Sequence, residues 1–479
     1  MKVLQINAVY NLSSTGRTTT ELHLAMLNKG IDSYVAYSKT NKPGDAWLYH
    51  IGSPLDVKLH GLFSRISGEQ AYFSHLATKK LIKHIDAVSP DVVHLRNLHG
   101  NYINFPMLMD YLAKKDIAVV VTFHDFWFIT GKCVHFTESR CDKWQYGCGN
   151  CPNLKDGNPT WFFDRTEKLL RDKTELFGKI NRLALIGVSN YVTNEVKKSP
   201  IAKKAEIVKT IYNWIDFDKF YPRDAGRARE KYGLNGFTVI GISAVWSDRK
   251  GLKSFIRLAE ACPEITVVLV GNLKENTVLP KNITAVSATS STDELAELYS
   301  AADVFITFSL EETFGKVSAE ALSCGTPVIC YDSTANPEIV GDGCGYVVPK
   351  NDFEGILNAV KKVRENGKNS YSSACVNFAH DRFDKNMLID RYIDVYKQLS
   401  KPSPEGKEHR RGFGISFSAA QRAGHDIHLS NALNDACEGR ARRARATPAP
   451  ISNVINGSSL IRALMRPPKK NRPGPAGPL

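Results

Sequence analysis

The sequence has no long apolar run and no export signal. None of its apolar stretches approaches the roughly 18 residues that a membrane-spanning helix needs. The first residues, MKVLQINAV, favour a strand and lack the apolar segment and cleavage site of a leader. We therefore expect a cytoplasmic protein, with peripheral contact at the inner face of a membrane as its only membrane association.

Net positive charge is small over most of the chain, which argues against nucleic acid as a partner. The formal net charge is +14 over 479 residues, but residues 401–479 hold 14 Lys and Arg against 5 Asp and Glu. That segment carries +9, which leaves +5 for the first 400 residues. It also contains nine of the 22 prolines, which predicts a disordered basic tail. The tail is either a dispensable extension or a segment that touches anionic lipid.

Two series of alternating strand and helix patterns divide the rest of the chain. The alternation stops near Tyr212 and restarts after Pro222. A chain of this length also needs more than one hydrophobic core. The pattern predicts an α/β protein with two Rossmann-like, doubly wound domains, 1–212 and 213–379, that face a central cleft. A helix within 380–400 is expected to cross back to the first domain.

Residues 309–332, SLEETFGKVSAEALSCGTPVICYD, are the most informative stretch. Glu312 and Glu320 stand eight positions apart, which is about 12 Å along a helix. Gly325 and the proline after it predict where that helix ends. The amides that open the helix favour an anion, and they belong to Phe314, Gly315 and Lys316. Two carboxylates that flank an anion site suit a sugar nucleotide. The alternative is an acidic surface loop before an ordinary α/β crossover.

Polar or flexible residues also follow other predicted strands. Gly16 lies in the loop after the first strand, and His124 ends a later strand in the segment TFHD. Arg249 and Lys250 lie between a strand and a helix, where their charges would neutralise a phosphate. The carboxyl ends of parallel strands line the ligand cleft, which favours a functional role for each. The alternatives are a turn glycine, a hydrogen-bonded structural histidine and a solvated basic turn; His99 is a weaker candidate.

Four cysteines lie close together in the loop 131–153. Their spacing, with a CxxC at its end and glycine and proline nearby, suits a tetrahedral structural zinc ion. The ligands would be Cys133, Cys141, Cys148 and Cys151. Two disulfides are the alternative, although a reducing compartment disfavours them. A site closed by four protein ligands would brace the loop and leave no position for catalysis.

Taken together, these motifs resemble the retaining glycosyltransferases of family 4, which have the GT-B fold. Within that family, the bacterial exopolysaccharide and colanic-acid-type enzymes are the most similar. The resemblance covers about residues 1–400, and the order and spacing of its motifs carry it. The motifs are STGR at 14–17, PDVVHLRNLHG at 90–100, TFHD at 122–125, GCGNCP at 147–152, RKG at 249–251, ELYSAADVF at 297–305, the stretch 312–329 and PEIV at 337–340.

The resemblance implies a role for each candidate in the cleft. Glu320 would bind the nucleotide ribose, and Glu312 would contact the transferred sugar. Lys250 would hold phosphate, with Gly16 near the diphosphate. His124 would face the reacting sugar, and the amides at the helix start would face donor phosphate or sugar.

Three positions depart from the family pattern. Val245 stands where the family usually has an arginine, five positions before the lysine, so Arg249 is expected to supply the missing charge. Trp214 replaces the usual glycine of an Asn-Gly-Ile-Asp segment. Arg96 stands where close relatives often have histidine. These departures bear on the diphosphate contacts.

The implied activity is that of a hexosyltransferase which needs no metal for catalysis. It would move a sugar from a nucleotide-diphosphate donor to a hydroxyl of a lipid-linked or oligosaccharide acceptor, with retention at the anomeric carbon. Two rivals are a sugar-nucleotide epimerase of the same fold and a catalytically silent basic binding or scaffold protein. Release of nucleotide would argue against the epimerase, and independence from residues 401–479 would argue against the binding protein.

Overall fold

The computed structural model describes residues 1–41, 45–287, 289 and 291–400. These residues fall within one structural unit. None of the helices in these ranges is long and apolar enough to cross a membrane. The predicted disordered tail, 401–479, lies outside the described residues.

The first domain is built on a parallel sheet of seven strands. Their order across the sheet is β3-β2-β1-β4-β5-β6-β7. The strands β4, β5 and β6 are buried along their whole length, as expected for a sheet with helices on both faces. The strands are β1 Lys2–Tyr10, β2 Asp32–Thr40, β3 Leu48–His50, β4 Val92–Leu95, β5 Ala118–Phe123, β6 Leu183–Gly187 and β7 Ile207–Thr210.

Six helices belong to this domain, and they differ from the sequence pattern in two places. The first begins at Ser13, so Gly16 lies in its first turn and not in a loop before it. The two helices between residues 54 and 88 were not predicted from the sequence. The helices are α1 Ser13–Asn28, α2 Pro54–Ser67, α3 His75–Val88, α4 Phe105–Lys114, α5 Thr166–Gly178 and α6 Asn190–Lys198.

The second domain has a six-stranded parallel sheet of order β10-β9-β8-β11-β12-β13. Its strands are β8 Thr238–Val245, β9 Thr266–Asn272, β10 Ile283–Val286, β11 Val304–Thr307, β12 Val328–Tyr331 and β13 Gly345–Val348. Its helices are α7 Gly226–Tyr232, α8 Leu252–Ala261, α9 Thr292–Ala301, α10 Lys316–Ser323, α11 Phe353–Asn366 and α12 Asn369–Phe383. Both domains are therefore doubly wound and Rossmann-like, which confirms the predicted fold class.

The strand order reverses once in each sheet, and this positions the candidate site. In the first sheet the chain winds outward from β1 on one side and from β4 on the other; in the second, β8 and β11 do the same. A crevice opens at such a switch point, beyond the carboxyl ends of the strands. The segments that follow β1 and β4 carry Gly16 and Arg96, and those that follow β8 and β11 carry Lys250 and Glu312.

The last described helix, α13 (Lys385–Ser400), packs on the first domain. The hydroxyl of Tyr396 lies 2.7 Å from Nδ1 of His94, at the centre of the first sheet. Asp390 pairs with Lys29 at the end of α1, with 2.9 Å between Oδ1 and Nζ. The chain thus returns from the second domain to close the back of the first.

Candidate functional site

The stretch that follows β11 forms the loop and short helix that its sequence predicts. Gly315 precedes α10 with φ +88°, a left-handed conformation that a residue with a Cβ rarely adopts. Gly325 follows the helix with φ +72°, as predicted for the residue that ends it. The amide of Asn336 donates to the carbonyl of Ser309 at 2.9 Å, and the Glu312 N–H donates to Thr334 Oγ1 at 2.9 Å. The loop is therefore held in one conformation.

Lys250 and Glu312 meet in the cleft. The ammonium of Lys250 lies 2.5 Å from Glu312 Oε1 and 3.4 Å from Ser309 Oγ. The two residues follow β8 and β11, which are neighbouring strands at the switch point. Both side chains remain partly exposed, so an incoming anion or hydroxyl can reach either.

Glu320 is buried within α10 and differs from Glu312 in its surroundings. Its Oε2 accepts a hydrogen bond from the hydroxyl of Tyr299 at 3.0 Å. Burial raises the pKa of Glu320, and the charges of Lys316 and Arg17 oppose that shift. Arg17 lies in α1 of the first domain, so this carboxylate faces the other domain. Sequence reasoning did not single out Arg17, although it ends the STGR motif.

His124 links the first domain to the loop that precedes α10. Its backbone carbonyl accepts a hydrogen bond from the Thr313 hydroxyl at 2.9 Å. Its Nε2 is buried and has no hydrogen-bond partner among the described residues. Burial and the nearby Arg96 charge lower the pKa of His124 to about 3, so the imidazole is neutral at pH 7. A buried, neutral ring nitrogen without a partner is an unsatisfied polar atom, which a hydrogen-bonding ligand would stabilise.

Arg96 places a fully buried cation inside the first domain. Its guanidinium donates to Thr19 Oγ1 at 2.9 Å and to Thr18 Oγ1 at 3.1 Å, while its Nε has no partner among the described residues. Burial lowers the pKa of Arg96, yet it stays a cation because the ordinary value is 12.5. This departure from the family pattern adds positive charge beside His124.

The other two departures from the family pattern are at Trp214 and Val245. Trp214 is buried, and its indole N–H donates to Glu21 Oε2 in α1 at 2.6 Å. Val245 is exposed at the end of β8. Arg249 does not turn toward Lys250; its guanidinium lies 3.5 Å from Glu138 and 3.9 Å from Glu311. The prediction that Arg249 replaces the missing arginine stays a prediction, and its present partners do not favour it.

Glu311, which sequence reasoning missed, ties the domains together. Its Oε1 accepts hydrogen bonds from the backbone amides of Phe136 at 3.2 Å and Thr137 at 3.1 Å. His135 Nδ1 lies 3.6 Å away. Although burial opposes the shift, His135 and the Thr137 amide lower the pKa of Glu311 to about 2. The only sequence signal was the doublet of glutamates at 311 and 312.

A cavity of about 410 Å³ opens beside this contact. One wall is Arg249 and Glu311, and the other is formed by segments 132–139 and 153–158. His99 lines it, with Nε2 2.9 Å from Asp125 Oδ2. Burial opposes the shift, but Asp125 raises the pKa of His99. Arg249 and Glu311 directly precede Lys250 and Glu312 in the chain, so the cavity adjoins the cleft.

The four cysteines of the loop 131–153 are free thiols, so the alternative of two disulfides is not formed. They line one small pocket, and the thiols of Cys133 and Cys151 hydrogen-bond to each other. Across the described ranges, however, no group of three or more His, Cys, Asp or Glu side chains is placed to hold a metal ion. The structural zinc site stays a prediction. Metal analysis of the purified protein tests it, and four free thiols without zinc would remove it.

Gly16 is buried in the first turn of α1. A Cβ there would lie 3.2 Å from Asn11 N and 3.2 Å from Val9 Cγ2. The close packing of the β1–α1 turn is thus enough to favour glycine. A contact between Gly16 and a diphosphate stays a prediction.

Family models place this architecture in a known class of enzymes. Residues 15–219 match glycosyltransferase family 4, and residues 225–380 match glycosyl transferases group 1. The two matches span both domains. The chain therefore belongs to the family 4 glycosyltransferases and is a glycosyltransferase, which confirms the resemblance seen in the sequence.

A curated relative matches most of the chain. The colanic acid biosynthesis glycosyl transferase WcaC of Escherichia coli (strain K12) is 22% identical over 423 residues, which cover 83% of this chain and 100% of WcaC. This similarity agrees with the exopolysaccharide type of enzyme expected from the motifs.

Solved structures share the fold. Sucrose-phosphate synthase from Thermosynechococcus elongatus superimposes with a TM-score of 0.60 at 16% identity, covering 83% of this chain and 99% of that one. Anabaena HepE in complex with UDP-glucose gives a TM-score of 0.56 at 16% identity, covering 83% and 100%. The predicted GT-B fold is confirmed.

Proposed function

We propose that the protein is a retaining hexosyltransferase that uses a nucleotide-diphosphate sugar. The observation that carries this proposal is the meeting of Lys250 and Glu312 at 2.5 Å, in a loop that is hydrogen-bonded to His124 of the other domain. A cation and a carboxylate thus meet in the cleft, in contact with a loop held against the strand end that carries His124.

The donor would occupy the cleft along the second domain. Glu320 would accept hydrogen bonds from the ribose, and Glu312 from the transferred sugar. Phosphate oxygens would contact Lys250 and the amides of Gly315 and Lys316, where the start of α10 favours an anion. The structural neighbour HepE was solved with UDP-glucose, which supports a nucleotide sugar as the donor class.

Donor binding would rearrange the ion pair in the cleft. Without donor, Lys250 and Glu312 neutralise each other. A diphosphate would draw Lys250 away and leave Glu312 free for sugar hydroxyls. Contact with Lys250 would offset part of the free-energy cost of desolvating the diphosphate, because this ammonium already lies in the cleft.

The chemical step follows from where charge develops. As the bond from the anomeric carbon to the phosphate oxygen breaks, negative charge grows on the diphosphate. Lys250 and the amides of α10 would stabilise it. The acceptor hydroxyl would bond to the anomeric carbon on the face that the diphosphate leaves, and its proton would pass to a phosphate oxygen. His124, neutral at pH 7, would donate or accept a hydrogen bond at the sugar and hold it in position. This route assigns no role to a metal ion.

The acceptor would be a hydroxyl of a lipid-linked or oligosaccharide substrate in surface polysaccharide synthesis. The similarity to WcaC, which covers 83% of this chain and 100% of WcaC, supports this class. The cavity beside Glu311, which adjoins the cleft on the side of the first domain, would receive it.

A panel of nucleotide sugars tests the proposal. A true donor should raise the unfolding temperature of the protein, because a ligand that binds the folded state stabilises it. Incubation of that donor with acceptor should release nucleotide and give a product with the anomeric configuration of the donor. An altered sugar nucleotide without nucleotide release would favour the epimerase, and no stabilisation by any donor would favour the binding protein.

A further inference from the structure

The second helix of the first domain exposes its apolar side. α2 buries His60, Gly61 and Ser64, while it exposes large side chains at Leu55, Leu59, Leu62, Phe63 and Ile66. These five positions have the spacing i, i+4, i+7, i+8 and i+11, so they form one stripe along the helix. Burial of large apolar side chains is the main favourable contribution to folding. A helix that leaves these side chains exposed therefore calls for an explanation other than folding stability.

Two other segments extend the stripe. Trp161, Phe162 and Phe163 are all exposed, and the Trp161 N–H donates to the carbonyl of Arg65 in α2 at 2.7 Å. Leu76, at the start of α3, is 74% exposed. We call the five residues of α2, Leu76 and residues 161–163 the apolar face. It holds nine of the 16 exposed large hydrophobic side chains in the described part of the chain.

The charges around the apolar face are basic. Lys58, Arg65 and Arg165 are exposed and have no ion-pair partner among the described residues. The acids nearby are already engaged. Asp56 accepts from the Ser53 N–H at 2.7 Å in the capping box of α2, and Asp164 accepts from the Cys151 N–H at 2.7 Å.

We propose that the apolar face docks on an anionic membrane surface. Leucine and aromatic side chains would enter the boundary between head groups and acyl chains, and the basic rim would contact lipid phosphates. The charge of each candidate partner distinguishes the membrane from the alternatives. The tail at 401–479 carries +9 and would be repelled by this rim. A second copy would bring the same basic residues toward each other in a symmetric contact.

The apolar face adjoins the cavity that would receive the acceptor. Asn158 lines that cavity and donates to the His99 carbonyl at 3.3 Å, and Trp161 follows three residues later. A docked enzyme would thus present the cavity rim at the height of the lipid head groups. The benefit of docking for catalysis rests on the proposed function, because it needs an acceptor anchored in lipid. The docking itself does not depend on the proposed function.

Vesicle flotation of the full chain tests the docking. The vesicles are phosphatidylcholine alone, or two parts phosphatidylcholine to one part phosphatidylglycerol. We expect binding to the second kind only, weakened by salt. L62E combined with F63E should lower the partition at least about tenfold, because it removes two inserting side chains and adds charge. V278E is the matched control, since Val278 is 87% exposed in the second domain, and it should bind like the wild type.

Two further full-length variants keep the test decisive if L62E/F63E misfolds. K58E with R65E should lose the preference for phosphatidylglycerol. Replacement of Arg440, Arg442, Arg443 and Arg445 by Ala should leave binding within about twofold of the wild type. Loss of binding in that tail variant, or undiminished binding in L62E/F63E, would overturn the proposal. The proposal would also be overturned if the wild type formed a dimer and did not bind vesicles, while L62E/F63E was a monomer. Flotation measures binding without turnover, so a failure of docking can be distinguished from a failure of sugar transfer.

Discussion

The two domains contribute to the cleft in different ways. The edge of the second domain carries opposite charges that are partly exposed and paired with each other, Lys250 with Glu312. The edge of the first domain carries Arg96, buried and held by threonine hydroxyls, and His124, whose imidazole is neutral. The second edge can therefore exchange partners when a charged ligand arrives, whereas the first is already fixed.

This difference assigns separate tasks. Exchangeable ion pairs suit the binding of a charged donor, because the ligand replaces one partner with another. Fixed, buried groups suit the positioning of a neutral sugar, because they move little when it binds.

The largest effect is expected from the exchangeable pair. K250A should lower kcat by about 10²–10³-fold, because it removes the cation beside the leaving diphosphate and leaves Glu312 unpaired. Steady-state kinetics of nucleotide release measure this. K253A is the control: Lys253 is exposed and pairs with Asp248 at 2.7 Å, away from Glu312. Equal losses in the two variants would mean that the pair has no special role.

Glu320 should affect donor binding more than turnover. E320Q should raise the KM for donor about 10–100-fold, because a neutral amide is a weaker partner for ribose hydroxyls than a carboxylate. Y299F, which removes the hydrogen bond to Oε2, should give a smaller rise in the same constant. The control is E365Q, at an exposed position of α11. A fall in kcat at unchanged KM would contradict a ribose role.

Glu311 should affect the contact between the domains. E311Q should cost about 1–3 kcal/mol of unfolding free energy, since two buried amides lose a charged acceptor. The pKa of this carboxyl falls from 4.5 to about 2 on folding. Its contribution is therefore complete above the unfolded value and is lost as the pH falls from about 4.5 to about 2. Denaturant unfolding across that range should show the loss in the wild type, and an equal pH slope in E311Q would refute the assignment.

The smallest effect is expected at Arg249. R249A should change the donor KM by less than about threefold, because the guanidinium is half exposed and faces Glu138 and Glu311. A tenfold or larger rise in the donor KM would instead show that Arg249 replaces the arginine that is absent at Val245.

The contrast between the domains also explains what the sequence could predict. The site of the second domain lies mostly in one continuous stretch, where glycine, proline and paired glutamates each have a direct structural meaning. The helix of this stretch and its end at Gly325 were predicted there, and the structure contains both. The groups of the first domain come from Arg17, Arg96, His99, Asp125 and the loop 131–158, and only the folded sheet brings them together.

Two misreadings have physical causes. Gly16 suggested a loop, but the helix begins three residues earlier, and the close packing of the β1–α1 turn is enough to favour glycine there. α2 was missed although its apolar residues have helical spacing. What the sequence does not show is that this stripe faces outward, so the usual link between stripe and core does not hold.

Calorimetric titration of nucleotide sugars into the wild-type protein and into E320Q tests the central claim most directly. That claim is that the cleft between the domains binds a nucleotide-diphosphate sugar, with its ribose on Glu320. We predict one binding site per wild-type chain for at least one donor, and an affinity at least about tenfold weaker in E320Q. Equal affinity in the two proteins, or no binding of any nucleotide sugar to the wild type, would contradict it.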